Sequence, residues 1–235
     1  INMIYTVTLN PSIDYIVHAE TIEMGAVNRM SADLKLPGGK GINVSRILKR
    51  LEVPAIATGF LGGFTGRFID DWLEAEGVPT DFTPIEADTR INIKLKAEVE
   101  TEINGLGPSV SSLEIARLKQ SLQSLNANDI VVLAGSVLPC LPQNFYQELL
   151  GELYHTEITE LSEVVHYGKK LLKDGPRFVL ISMAGDGALL FTKQGVYQSN
   201  VLKRPLNNSV GAGDSMIVGF VGRWTQTNDP IEAFK

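Results

Sequence analysis

Apolar residues recur along the chain in two rhythms, and the switching between them predicts the elements. Residues 6–9 make a short apolar strand stopped by Asn10-Pro11, and Tyr15, Ile16 and Val17 open a second strand. Val44, Ile47, Leu48 and Leu51 fall at i, i+3, i+4 and i+7, one face of a helix that starts just after Gly38-Gly39-Lys40-Gly41. Residues 55–61 read as a buried strand, and after Gly62-Gly63 a helix turns Phe68, Ile69, Trp72 and Leu73 inward and stops at Gly77. In residues 90–96 the period shortens to two. Ile91, Ile93 and Leu95 share one face while Asn92, Lys94 and Lys96 share the other, the pattern of a half-solvated strand. Asn104-Gly105 is a turn signal. Ser111 and Glu114 have capping-box spacing before a helix carrying Ile115, Leu118, Leu122 and Leu125. Then come a strand at 130–134, a helix opened by Pro142, a strand at 177–183, and a helix from near Gly213 that carries Ile217, Phe220, Val221 and Trp224.

Strands and helices in this alternation predict an α/β domain with a largely parallel sheet. Its core spans 1–13, 38–84 and 109–235, while the polar-faced strand regions 14–37 and 85–108 leave that sheet and form a β lid. Two places break the rhythm. The helix ending in Leu149-Leu150 runs directly into Gly151 where such a fold would insert a strand, and Asp229-Pro230 starts a helix that has one turn before Lys235. The expectation is that the natural protein carries an internal segment at 150/151 and further C-terminal residues.

Composition narrows the function classes. The chain has 235 residues, 44% of them apolar, enough for one sizeable core plus a small subdomain. Its 21 basic and 27 acidic side chains give a net charge of −6 with neither sign clustered, which argues against a nucleic-acid or membrane-surface partner. Cys140 is the single cysteine, so no internal disulfide or multi-cysteine metal site can form. Met3 reads as a natural start, there is no leader-like opening, and no apolar run approaches the ~18 residues that span a bilayer, so a cytoplasmic protein is expected.

Three glycine-rich stretches carry candidate chemistry. Asn208-Ser209-Val210-Gly211-Ala212-Gly213-Asp214-Ser215 opens onto an apolar-periodic helix, so its amides and the helix N-terminus favour negative charge. Asp214 there is either a general base beside an anion hole made by Gly211, Ala212 and Gly213, or an ordinary N-cap aspartate. Pro37-Gly38-Gly39-Lys40-Gly41-Ile42-Asn43 converges bare backbone, an ammonium and an amide at a helix start, which suits a phosphorylated polyol. Arg29 and Arg90 add further cations from the lid, although singly each of these charges is equally a solvated surface group. The turn Ser182-Met183-Ala184-Gly185-Asp186-Gly187 reads as a hairpin that also touches nucleotide. The P-loop and dinucleotide fingerprints are absent, as is the nucleophile elbow of a hydrolase, and His18, His155 and His166 lack ligand spacing.

Asn10-Pro11-Ser12-Ile13-Asp14, the segment 37–43 and Val210-Gly211-Ala212-Gly213-Asp214-Ser215, in this order, resemble the PfkB (ribokinase-like) carbohydrate kinases over essentially the whole chain. The resemblance implies a three-layer α/β/α domain with a β lid that pairs in a homodimer. It implies that Asp14, Gly38, Gly39, Asn43 and Ser136 face the sugar, that Lys40 and Arg90, aided by Arg29, engage its phosphate, and that residues 182–187 and Gly213 touch ATP. Asp214 is then the catalytic base. The implied reaction is phosphoryl transfer from ATP, with Mg²⁺, to fructose 1-phosphate; tagatose 6-phosphate and fructose 6-phosphate are the alternatives within the family, and a silent sugar-phosphate sensor is the alternative outside catalysis. The family's Asn-x-x-Glu motif is not intact before Gly151, so neither Glu152 nor any other residue is assigned to Mg²⁺.

Overall fold

The computed structural model describes residues 3–126, 129–146, 148–149, 178–182, 188–192, 195–199, 219–220, 223–224, 227 and 229–234. In chain order the elements are β1 (Ile4–Thr8), β2 (Ser12–His18), β3 (Ala32–Gly38), α1 (Lys40–Arg50), β4 (Ala55–Gly62), α2 (Gly63–Ala75), β5 (Thr80–Ile85), β6 (Arg90–Lys96), β7 (Thr101–Asn104), α3 (Ser112–Gln123), β8 (Ile130–Leu133), β9 (Phe178–Ser182), β10 (Ala188–Thr192), β11 (Gly195–Ser199) and α4 (Pro230–Phe234).

Strands β5-β4-β1-β8 form the core sheet, every pair parallel. Alternation along β1 explains why helices cover both faces. Ile4 packs with Val44 and Leu48 of α1, and Thr6 Oγ1 meets Ser45 Oγ of the same helix at 2.5 Å. Val7, from the opposite face, packs with Leu118 and Leu122 of α3, joined by Leu9, Phe60, Leu138 and Phe145. Ile42 of α1 joins Ile69 and Leu73 of α2 over Ala57 and Leu61 of β4. The result is the three-layer arrangement expected from the sequence.

Strands β9, β10 and β11 are paired antiparallel, so the parallel expectation does not extend to the strand predicted at 177–183. Ser182 pairs with Ala188, and a five-residue connection is too short for a parallel crossover, which needs a dozen residues or more. Leu190 of β10 still reaches the core beside Ile4 and Val44.

The lid is a second sheet in the order β3-β2-β6-β7. Two features differ from the sequence expectation. First, β6 and β7 are joined around residues 97–100, and Asn104-Gly105 ends β7 instead of making the hairpin turn. Second, the polar face of β6 is covered at Asn92, which is 8% exposed, while Ile91 on the apolar face is 40% exposed and Ile103 of β7 is 58% exposed. Period-two alternation separates two faces without saying which of them meets water.

The second excursion, from β5 into the lid and back to α3, is tied at both ends by one carboxylate. Glu114, buried in the first turn of α3, accepts from the Glu86 N–H at 2.8 Å and from the Ser111 N–H at 2.6 Å, closing the predicted capping box. Thr65 of α2 donates to the Thr89 carbonyl at 2.7 Å, and the Gly62 N–H donates to Thr89 Oγ1 at 3.0 Å.

Candidate active site

Asn10-Pro11 ends β1 at the C-terminal edge of the core sheet and passes the chain directly into lid strand β2. Binding residues of open α/β sheets gather at that edge. Parallel pairing of β2 with β6 sets Ser12 opposite Arg90, Asp14 opposite Asn92 and Ile16 opposite Lys94, so these polar side chains share one lid face. Asp14 is at the centre. Its Oδ1 accepts from Ser12 Oγ at 2.9 Å and from Asn92 Nδ2 at 3.4 Å, and its Oδ2 lies 2.9 Å from Lys94 Nζ. Asn92 is itself oriented, accepting from the Gly105 N–H at 3.1 Å through Oδ1 and donating to Ser12 Oγ at 3.1 Å.

Arg90 links lid to core. Nη2 donates to the Asn10 carbonyl at 3.1 Å and Nη1 to the Gly105 carbonyl at 3.4 Å. Burial lowers the guanidinium below its ordinary value, against the pull of the Asp14 carboxylate. Arg90 Nε, Thr8 Oγ1 and Asn10 Oδ1 are buried with no partner among the described residues, as polar atoms are where a ligand or water completes them.

The start of α1 closes against this group because residues 38 and 39 are glycines. A Cβ at position 38 would overlap Asp14 Oδ1 and stand 2.7 Å from Ser12 Oγ, and one at 39 would stand 2.7 Å from Thr8 Cγ2. Gly39 also has φ 127°, a conformation that favours glycine, and no side chain caps the helix it begins. Lys40 and Asn43 therefore sit in the first turn of an uncapped helix without acidic residues, a setting that favours anions. Gly135, at φ 95°, brings the loop after β8 within van der Waals reach of Lys40, since a Cβ there would lie 3.6 Å from Lys40 Cβ. Ser136 follows, exposed at the same edge.

The predicted residues Asp14, Gly38, Gly39, Lys40, Asn43, Arg90 and Ser136 thus gather where β1, β8, α1 and the lid meet. Arg29 does not join them within the chain; it lies in the exposed segment between β2 and β3. Ser182 ends β9, while Met183, Ala184, Gly185, Asp186, Gly187, Gly211, Ala212, Gly213 and Asp214 lie outside the described residues. Ser12, Asn92 and Lys94 were not selected from sequence as site residues. The alternation at 90–96 set Asn92 and Lys94 on one face, but the partner strand that makes this face a site was not visible there. A separate cavity of about 260 Å³, lined by Leu61, Arg67, Asp70 and Phe82 among others, contains none of these residues.

Chemically, the group offers one carboxylate, oriented in part by Lys94, for hydroxyl groups beside two cations, Lys40 and Arg90, that suit a phosphate. Comparison with known proteins follows the same line. The model for the pfkB family carbohydrate kinases matches residues 7–151 and 149–235. The chain is 46% identical to the 1-phosphofructokinase of Bacillus subtilis over 270 aligned residues, covering 99% of this chain and 89% of that protein. It is 31% identical to the D-tagatose-1-phosphate kinase of Bacillus licheniformis, covering 94% and 85%. Among solved structures, phosphofructokinase-2 of Escherichia coli in complex with fructose-6-phosphate superposes with a TM-score of 0.71 at 23% identity, covering 100% of this chain and 90% of that one, a likeness of fold.

Proposed function

The chain belongs to the pfkB family of carbohydrate kinases, and we propose that it transfers the γ-phosphoryl group of ATP to fructose 1-phosphate, giving fructose 1,6-bisphosphate and ADP. The observation that carries the sugar-phosphate half is the Asp14 carboxylate, held on both oxygens by Ser12, Asn92 and Lys94 and flanked by Arg90. Such a carboxylate accepts sugar hydroxyls in a set orientation, and Lys40, Arg90 and the first turn of α1 hold the phosphate. Gly38, Gly39, Asn43 and Ser136 complete the sugar subsite.

When bound, ATP supplies the transferred group and Mg²⁺ screens its charge. Asp214 accepts the proton of the attacking hydroxyl, and the amides of Gly211, Ala212 and Gly213 receive the developing negative charge. Residues 182–187 and Gly213 bind the nucleotide.

The half-exposed apolar lid face, with Ile91 and Ile103, fits a second lid and supports a homodimer, while the single cysteine supports a reducing, cytoplasmic location. No helix among the described residues is long and apolar enough to cross a membrane.

Steady-state rates on fructose 1-phosphate, tagatose 6-phosphate, fructose 6-phosphate and tagatose 1-phosphate test the substrate. Fructose 1-phosphate as the poorest of the four would overturn the assignment. Asp214→Asn is expected to lower kcat by at least ~10²-fold with a modest change in KM. Unchanged turnover in that variant removes the base, and a chain that binds sugar phosphate without turnover in its wild-type form is a sensor.

A further inference from the structure

We propose that Lys94 is a positioning residue for sugar-phosphate recognition, acting through Asp14; the inference rests on the kinase reading above. Three lysines of the lid sheet form ion pairs, and only one of the three reaches across to another element at the site. Lys35 pairs with Asp33 on its own strand, and Lys96 pairs with Glu100 at the end of its own hairpin, both local contacts. Lys94 instead crosses to Asp14, with both side chains about one-fifth exposed.

The geometry is directional. Lys94 stands opposite Ile16 in the β2–β6 register, so its side chain leans diagonally, two residues back, to reach Asp14. It thereby fills one side of Oδ2 while Ser12 and Asn92 fill Oδ1. An ionised carboxylate offers about four acceptor directions, so the three bonds leave about one free, and the pair decides which. Lys94 keeps further N–H donors beside the same position. A mobile surface ion pair would have neither consequence. Here the partner is the carboxylate between the Asn10-Pro11 crossing and the glycines of α1, with Arg90 and Asn92 on the same face of β6.

The test uses the full chain with fructose 1-phosphate and ATP. Lys94→Met keeps the stem and removes the charge; it is expected to raise the sugar-phosphate KM about 10-fold, with kcat within about 3-fold and the KM for ATP unchanged. Lys94→Arg should recover most of the loss, a rescue that a packing role would not give. In the Asp14→Asn background, Lys94→Met should cost little more kcat/KM, because its action passes through the same carboxylate. Losses that multiply would make Lys94 an independent ligand and overturn the positioning role, as would an unchanged KM in Lys94→Met. If Lys94→Met does not fold, Lys94→Gln takes the same readouts. A wild-type chain that turns over no sugar phosphate refutes the kinase reading and this inference with it, whereas an active wild type with an indifferent Lys94 refutes this inference alone.

Discussion

Replacing Gly38 by Ala adds one methyl group in space that the Asp14 carboxylate already occupies. The new Cβ would lie 2.6 Å from Asp14 Cγ and 2.7 Å from Ser12 Oγ. Non-bonded carbon contacts settle near ~3.5–4.0 Å, so Asp14 and Ser12 must retreat by about 1 Å. Backbone strain does not confuse the experiment, because Gly38, unlike Gly39, is not among the glycines with positive φ. Moving Asp14 by that amount breaks its 2.9 Å contact with Lys94 or its 2.9 Å bond from Ser12. A hydrogen bond to a charged group contributes about 1.5–3 kcal/mol, equivalent to a ~10- to 150-fold rise in the sugar-phosphate KM. Overpacking costs the fold about 1–3 kcal/mol, leaving a folded enzyme in which the effect can be read. Steady-state kinetics with varied sugar phosphate at saturating ATP, beside a thermal melt, give the answer. A folded Gly38→Ala enzyme with KM within about 2-fold of wild type would show that Asp14 does not hold the sugar, and the site would have to be drawn elsewhere.

Two further outcomes follow from the packing. Glu114→Gln removes the carboxylate that accepts from both Glu86 and Ser111, and should cost about 1–3 kcal/mol in denaturant unfolding. The backbone hydrogen bond from Ser111, with that from Glu86, holds Glu114 below its ordinary carboxyl value of 4.5. Its folded value is therefore lower than its unfolded one, so the stabilisation is fully present above about 4.5 and is lost as pH falls through the folded value. The gap between wild type and Glu114→Gln should accordingly narrow on acidification, and a gap that widens would contradict this. Ile103→Glu puts a charge on the exposed apolar lid face; if the proposed homodimer forms through that face, sedimentation should show a shift towards monomer, and an association state unaltered from wild type would refute that interface.

Several features were legible because they are local. The glycines at 38 and 39 announced a tight helix start, Ser111 and Glu114 announced the capping box of α3, and the βα rhythm announced a parallel core with helices on both faces. Lys40 and Asn43 were singled out because their short motif suits a polyol phosphate, and Asp14 because Asn10-Pro11-Ser12-Ile13-Asp14 resembles the family's opening motif. Each of these readings depends on neighbours within a turn or two of chain, where spacing translates directly into geometry.

The Asp14 network was decided elsewhere. Asn92 and Lys94 reach Asp14 because β2 pairs with β6 in parallel, in one register, across a gap of 78 residues between Asp14 and Asn92. Nothing in either strand names its partner, since a period of two is satisfied by any neighbour with a matching face. For the same reason alternation at 90–96 could separate the faces of β6 but could not tell that Asn92 would be covered and Ile91 exposed; what lies over a face is a property of the assembled chain. Arg90 makes the same point, since its guanidinium binds two carbonyls, of Asn10 and Gly105, that only the finished junction of core and lid brings together.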